Sequence, residues 1–205
     1  GQAAEIHGAP APMDDRYLQV GKVRARYWAA GERGATVVLL HGIGASVELW
    51  QCTLPALGER YRVLAVDLPG FGRSDKPEAS YTLAYLAAFV RDFLDVLGVS
   101  RATLVGHSLG GGVALRFALD FPARLERLVL AAPAALGRGG SPVLRLMSLP
   151  GVGEFLGRPS RKGTARLFKL ATLDPDAVTD ARIDAANQLA RLPSTQRGFL
   201  GGLRA

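Results

Sequence analysis

Short runs of apolar, β-branched residues alternate along this chain with stretches whose apolar positions recur every three or four residues. Four runs read as strands: Thr36–Leu40, Arg62–Val66, 102–105 and Leu125–Ala131. They are apolar at successive positions, as strands are when helices cover both faces of a parallel sheet. Residues 17–20 and 23–28 flank Gly21-Lys22 and predict a hairpin ahead of them. Between the strands the spacing predicts helices over 47–57, 83–97 and 110–120. The second is the clearest: Leu83, Leu86, Val90, Phe93, Leu94 and Leu97 share one face, Thr82 can cap it, and Gly98 stops it. Phe121-Pro122 ends the third. Alternation of this kind predicts an α/β fold with a mostly parallel sheet and flanking helices.

The texture changes after Pro133. Residues 137–142 read as loop, then helical patches follow, broken by Pro150, Gly151, Gly153, Gly157 and Pro159. Residues 177–192 read as helix, and no strand-like run follows Ala131. Two regions are therefore expected: 1–133 as sheet-bearing core and 134–205 as a helical region.

Composition narrows the class. A 205-residue chain that is 48% hydrophobic and 21% charged suits one globular unit with a substantial core. The single cysteine, Cys52, makes no internal disulfide, so the fold needs no oxidising compartment. In its apolar surroundings Cys52 reads as a small buried hydrophobe. The first fifteen residues lack the basic start and apolar stretch of a secretory signal, which points to the cytoplasm. No apolar run approaches the roughly 18 residues of a membrane span. The net charge of +7 resides mostly in 134–205, where 11 basic face 5 acidic residues. These arginines are scattered, with no aromatic interleaving, so they read as a solvated face and nucleic acid is not an expected partner. No Cys/His cluster has metal-ligand spacing and no glycine motif would cradle phosphate, so neither metal nor organic cofactor is implied.

The chemistry lies in three motifs. Gly106-His107-Ser108-Leu109-Gly110-Gly111 joins a strand-like run to a helical one. A G-x-S-x-G sequence in that setting is a nucleophile elbow, a turn so tight that the serine hydroxyl is pushed out above the sheet. Gly106 and Gly110 leave room for the turn, and His107 is expected to point away from Ser108. The backbone N–H of Leu109, opening the helix, is the natural oxyanion donor. His41-Gly42-Ile43-Gly44 follows the first parallel run, and there Ile43, or else Gly42, can supply a second N–H. His41 reads as a loop pin. The third motif runs from Asp67 to Asp75, DLPGFGRSD, at the carboxyl end of a strand where α/β sheets bind ligands. Asp67 and Asp75 read as loop holders, and Ser74 lacks an elbow.

In this order and at these distances the motifs resemble the α/β-hydrolase superfamily over about residues 14–205. The likeness is to the serine-nucleophile branch with a helical cap, including carboxylesterases, meta-cleavage product hydrolases and haloperoxidase-like enzymes. It implies an α/β-hydrolase fold, Ser108 as acyl-forming nucleophile, and 134–205 as the start of a cap over the pocket. It implies a serine hydrolase of ester-like, small hydrophobic substrates. C–C hydrolase, perhydrolase or acyltransferase chemistry, or a non-catalytic ligand binder, are the alternatives on the same scaffold. Branches that use an aspartate nucleophile are disfavoured, because position 108 is serine. The apolar residues Val143, Leu144, Leu146, Met147, Leu149, Phe155 and Leu156 point to a hydrophobic small substrate, or else to ordinary packing among the cap helices. The sequence sets no oligomeric state.

A serine needs a histidine to take its proton and a carboxylate to orient that histidine. The family order is Ser, acid, His. The three histidines here are His7, His41 and His107, and none follows Ser108. The triad acid and histidine are therefore not expected within these residues. The reading is of a chain whose last core strands lie outside it, with Leu125–Ala131 as an unpaired edge and little turnover by itself.

Overall fold

In a computed structural model, residues 13–134, 146, 148–171 and 178–204 are described. The expected loop at 137–142 lies outside them. Strand β1 (Arg16–Val20) turns through Gly21-Lys22 into β2 (Val23–Ala30), with Val20 opposite Val23. β3 (Thr36–Leu40), β4 (Arg62–Val66), β5 (Ala102–His107) and β6 (Leu125–Ala131) follow. The sheet order is β1-β2-β4-β3-β5-β6. β2 pairs antiparallel with β1 and β4, whereas β3–β4, β3–β5 and β5–β6 are parallel. β3 and β5 are thus neighbours, so loops far apart in sequence leave the same edge of the sheet side by side.

Helices cover the sheet on both faces. On one, α2 (Leu83–Val96) and α3 (Leu109–Asp120) bury Leu86, Val90, Phe93, Val113 and Phe117 against Val38, Leu40, Leu64 and Leu104. Thr82 caps α2 through the Tyr85 N–H, and Gly98 follows at φ +66. On the other, a 3-10 turn (Val47–Trp50) and α1 (Thr53–Gly58) bury Val47, Trp50 and Leu54 against Trp28, Val37, Leu39 and Val63.

Three expectations change here. The helix expected over 47–57 is split, because Pro55 has no N–H for the Gln51 carbonyl and its ring would strike it. The split places Pro55 in the first turn of α1, where a proline is tolerated. Cys52, in the turn between the pieces, is half-buried rather than buried. β5 also runs two residues past Val105, because Gly106 and His107 pair with Leu130 and Ala131.

β6 is the edge strand, and Val129 on it is 49% exposed. Beyond it the described elements are helices: α4 (Val152–Leu156), α5 (Arg161–Ala171), α6 (Asp180–Ala190) and α7 (Thr195–Arg204). The expected helix at 177–192 is shorter at both ends, with Thr179 capping α6 through the Arg182 N–H. Val143, Leu144 and Met147 lie outside the described residues, as does the side chain of Leu156. Leu146, Leu149 and Phe155 are 48%, 51% and 68% exposed, so these three do not line a buried pocket. No helix among the described residues is long and apolar enough to cross a membrane.

Candidate active site

Ser108 sits between the last residue of β5 and the first of α3, at φ +51 and ψ −116. That backbone region is nearly closed to residues with a Cβ and costs on the order of 1–3 kcal/mol. The surroundings hold it there. The Ser108 N–H donates to the Ala131 carbonyl at 3.0 Å. The Ser108 carbonyl accepts from the N–H groups of Gly111, Gly112 and Ala134 at 2.9, 3.1 and 2.8 Å. The turn is as tight as the motif requires: a Cβ at Gly106 would overlap the Gly110 carbonyl, and one at Gly110 the Leu40 carbonyl. Leu109 opens α3, where first-turn N–H groups have no partner within the helix.

The loop after β3 reaches the same place. A Cβ on Gly42 would stand 3.2 Å from Ser108 Cβ and 3.0 Å from His107 Nδ1. Gly42 and Ser108, 66 residues apart in sequence, are thus brought into contact by the β3–β5 pairing. His107 lies beside the same glycine. Its ring flanks Gly42, since β5 extends through His107 and leaves the side chain beside the loop of the adjacent strand. Burial pushes the His107 pKa down, and its Nδ1 is buried without a partner.

His41 is fully buried. The Leu68 N–H donates to its Nε2 at 3.0 Å, which leaves the proton on Nδ1, 2.8 Å from the Gly42 carbonyl. The ring therefore ties the Gly42 loop to the loop after β4, as expected of a pin. Burial holds its pKa below the ordinary value, against the pull of Asp67, so the ring is neutral.

Asp67 works beside it and is likewise fully buried. It accepts from the N–H of Val47 at 2.7 Å and of Arg73 at 2.8 Å. It also pairs with Arg26 at 3.3 Å. Burial raises its pKa, opposed by His41 and Arg26. Asp75 fastens the far end of that loop: its carboxylate accepts from the Arg24 N–H at 2.8 Å, and its carbonyl from the Gly70 N–H at 2.9 Å. Ser74 is buried, donating to the Asp67 carbonyl and accepting from the Arg26 N–H, which fits a structural serine.

The sequence reading missed Arg26. Its side chain is 2% exposed and meets Asp15 at 2.6 Å, Glu48 at 2.7 Å and Asp67. Burial works against its charge, yet these carboxylates raise its pKa above the usual arginine value. The one local clue was an arginine alternating with Trp28 on the packed face of β2. α7 was missed as well. It lies against the Asp67–Asp75 loop and the Gly42 loop, with Phe199 beside Gly44 and Gly201 against the Tyr81 ring.

A model of the alpha/beta hydrolase fold matches residues 35–157, three fifths of the chain. The chain belongs to the α/β-hydrolase fold family. This α/β-hydrolase is 42% identical over 140 residues to an uncharacterized protein of Mycobacterium tuberculosis, covering 68% of the chain and 41% of that protein. It is 29% identical over 198 residues to a 2-hydroxy-6-oxo-6-(2'-aminophenyl)hexa-2,4-dienoic acid hydrolase of Metapseudomonas resinovorans, covering 93% of the chain and 64% of that enzyme. The crystal structure of wild-type Cfl2 from Burkholderia cenocepacia superposes with a TM-score of 0.86 at 26% identity, covering 93% of this chain and 70% of that one. The chain spans about two fifths of the length of the first of these relatives.

Proposed function

We propose that the protein is a serine hydrolase that works through an acyl-enzyme at Ser108. The observation that carries the reading is the strained Ser108 backbone at the β5–α3 junction, with the Gly42 loop packed on the serine's Cβ. Strain of this kind persists where the surroundings over-determine it, which supports a hydroxyl presented at the carboxyl edge of the sheet. Ser108 Oγ attacks an acyl carbon, and the N–H groups of Leu109 and Ile43, or Gly42, receive the developing oxyanion. The C–O bond to the leaving group then breaks, and water later hydrolyses the Ser108 ester. The helices of 134–205 act as a cap, and the substrate is small, ester-like and apolar.

His41 spends both ring nitrogens on the loop, and no histidine follows Ser108 in these 205 residues. His41 is therefore not the base that takes the Ser108 proton. The test uses the complete gene product. A fluorophosphonate should label the wild type and fail to label Ser108→Ala, read by intact mass. Labelling that survives in Ser108→Ala, or is absent from the wild type, would overturn the reading.

A second reading, cleavage of a C–C bond in a dienoic acid, is favoured by the 29% identity to the Metapseudomonas enzyme over 93% of this chain. Comparing a 2-hydroxy-6-oxodienoate with simple esters as substrates of the complete protein separates the two.

A further inference from the structure

α7 is an unusual helix to find ordered over a sheet edge, because its interior carries Gly198, Gly201 and Gly202. Each interior glycine weakens a helix by roughly 1 kcal/mol relative to alanine. Close approach accounts for them. A Cβ at Gly198 would overlap the Gly70 carbonyl, one at Gly201 would stand 2.6 Å from Tyr81 Cδ2, and one at Gly202 would press on Phe71 Cζ at 3.3 Å. The glycine face therefore lies directly on the loop after β4 and on two aromatic rings. Those rings form an edge-on row, Tyr81 to Phe71 at 6.4 Å and Phe71 to His41 at 5.6 Å. α7 is thus seated on a row that ends at the His41 pin.

From that seat Phe199 reaches the loop after β3. A Cβ on Gly44 would stand 3.3 Å from Phe199 Cδ2 and 3.5 Å from Cε2, so the ring takes the place of a side chain there. Among the described residues outside the loop, no other atom comes within 4 Å of that position. Gly44 is the soft point of the loop. It lies at φ +69 in a turn closed by the Ala45 N–H on the Gly42 carbonyl at 3.2 Å. Glycine enters and leaves that backbone region at little cost. The Gly42 end is held by the core, through His41 on its carbonyl and Ser108 Cβ at its face. The Gly44 end is held by α7. Ile43, with its N–H assigned to the oxyanion, lies between the two.

We propose that Phe199 is a positioning residue for the reaction at Ser108: pressed on Gly44 from α7, its ring fixes the far end of the loop that presents the oxyanion N–H. This rests on the Ser108 reading above. Phe199 acts through the loop and touches no reacting atom. Misplacing a donor by about 1 Å costs on the order of 100-fold in rate, and losing one outright about 10²–10³-fold. The docked helix therefore contributes to the rate of the chemical step rather than to the affinity for the acyl compound.

The experiment treats the complete gene product with ethyl fluorophosphonate over a range of concentrations. It separates the limiting phosphonylation rate from the half-saturating concentration. Phe199→Ala should lower the limiting rate about 10- to 100-fold and leave the half-saturating concentration within about 2-fold. Phe199→Leu, which puts apolar bulk back over Gly44, should recover most of the loss. If Phe199→Ala loses its cooperative melting transition, Phe199→Val decides by the same split. A limiting rate that does not fall, or a loss carried by the half-saturating concentration, would overturn the proposal. No labelling of the wild type overturns the Ser108 reading and this inference with it, whereas wild-type labelling with an unmoved limiting rate in the variants removes only the inference.

Discussion

Removing the buried guanidinium of Arg26 is the sharpest perturbation available. In Arg26→Met the stem volume is kept, but contacts to Asp15 at 2.6 Å, Glu48 at 2.7 Å and Asp67 at 3.3 Å are lost. Asp15 and Glu48 retain solvent at 24% and 30% exposure and can rehydrate, whereas Asp67 at 0% cannot. The cost is therefore dominated by one stranded buried carboxylate, for which about 3–5 kcal/mol is the usual penalty. For a chain of this size that lowers Tm by about 6–20 °C. The pH dependence follows from the directions of the shifts. Asp67 has a raised pKa, so its charge destabilises the fold above that pKa, and the penalty fades as pH falls through it. Loss of Arg26 raises Asp67 further. Glu48 is half-buried, which works upward, but Arg26 and Ser46 hold its pKa below the ordinary 4.5, and the wild type loses that contribution in acid. The gap between wild type and variant should thus narrow steadily from pH 7 into the acid range. Urea unfolding followed by circular dichroism measures it. Arg26→Met/Asp67→Asn should recover more than half of the loss, because no charge is left stranded. A cost below about 1 kcal/mol at pH 7, or a double variant no better than the single, would refute the reasoning.

Two further outcomes are expected. Ser108→Gly should raise stability by about 1 kcal/mol, the relief of a φ of +51 outweighing glycine's added freedom in the unfolded chain, as read from the urea midpoint. His41 has a lowered pKa, so its contribution is complete above the ordinary 6.5 and is lost as pH falls below it, when the unfolded chain takes up the proton. His41→Gln should flatten the dependence of stability on pH below 6.5 without abolishing it, because His107 is shifted the same way.

What the sequence made legible was local. The six strands and α2 follow from apolar runs, a heptad-like face and a threonine cap. The elbow follows from glycines at fixed offsets around Ser108. The contact of Gly42 with Ser108 was legible only through the family resemblance, because it depends on β3 and β5 being neighbours. Arg26 was invisible for a stronger reason. Its partners lie 11, 22 and 41 residues away, and the alternation with Trp28 in β2 does not by itself say that a strand arginine will be buried. α7 defeated the pattern because its glycines are poor helix formers, and only packing against Gly70 and Tyr81 makes a helix favourable there. Pro55 was legible in principle, since the missing N–H forbids one helix over 47–57.

The peptide at Ser108 is gripped from both sides by the stretch that leaves the sheet: its N–H by Ala131, its carbonyl by Ala134, with Ala132 between them at φ +45. That three-residue exit works as a lever arm on the elbow. Tension on the chain beyond residue 134 is transmitted through two hydrogen bonds to the backbone of the serine.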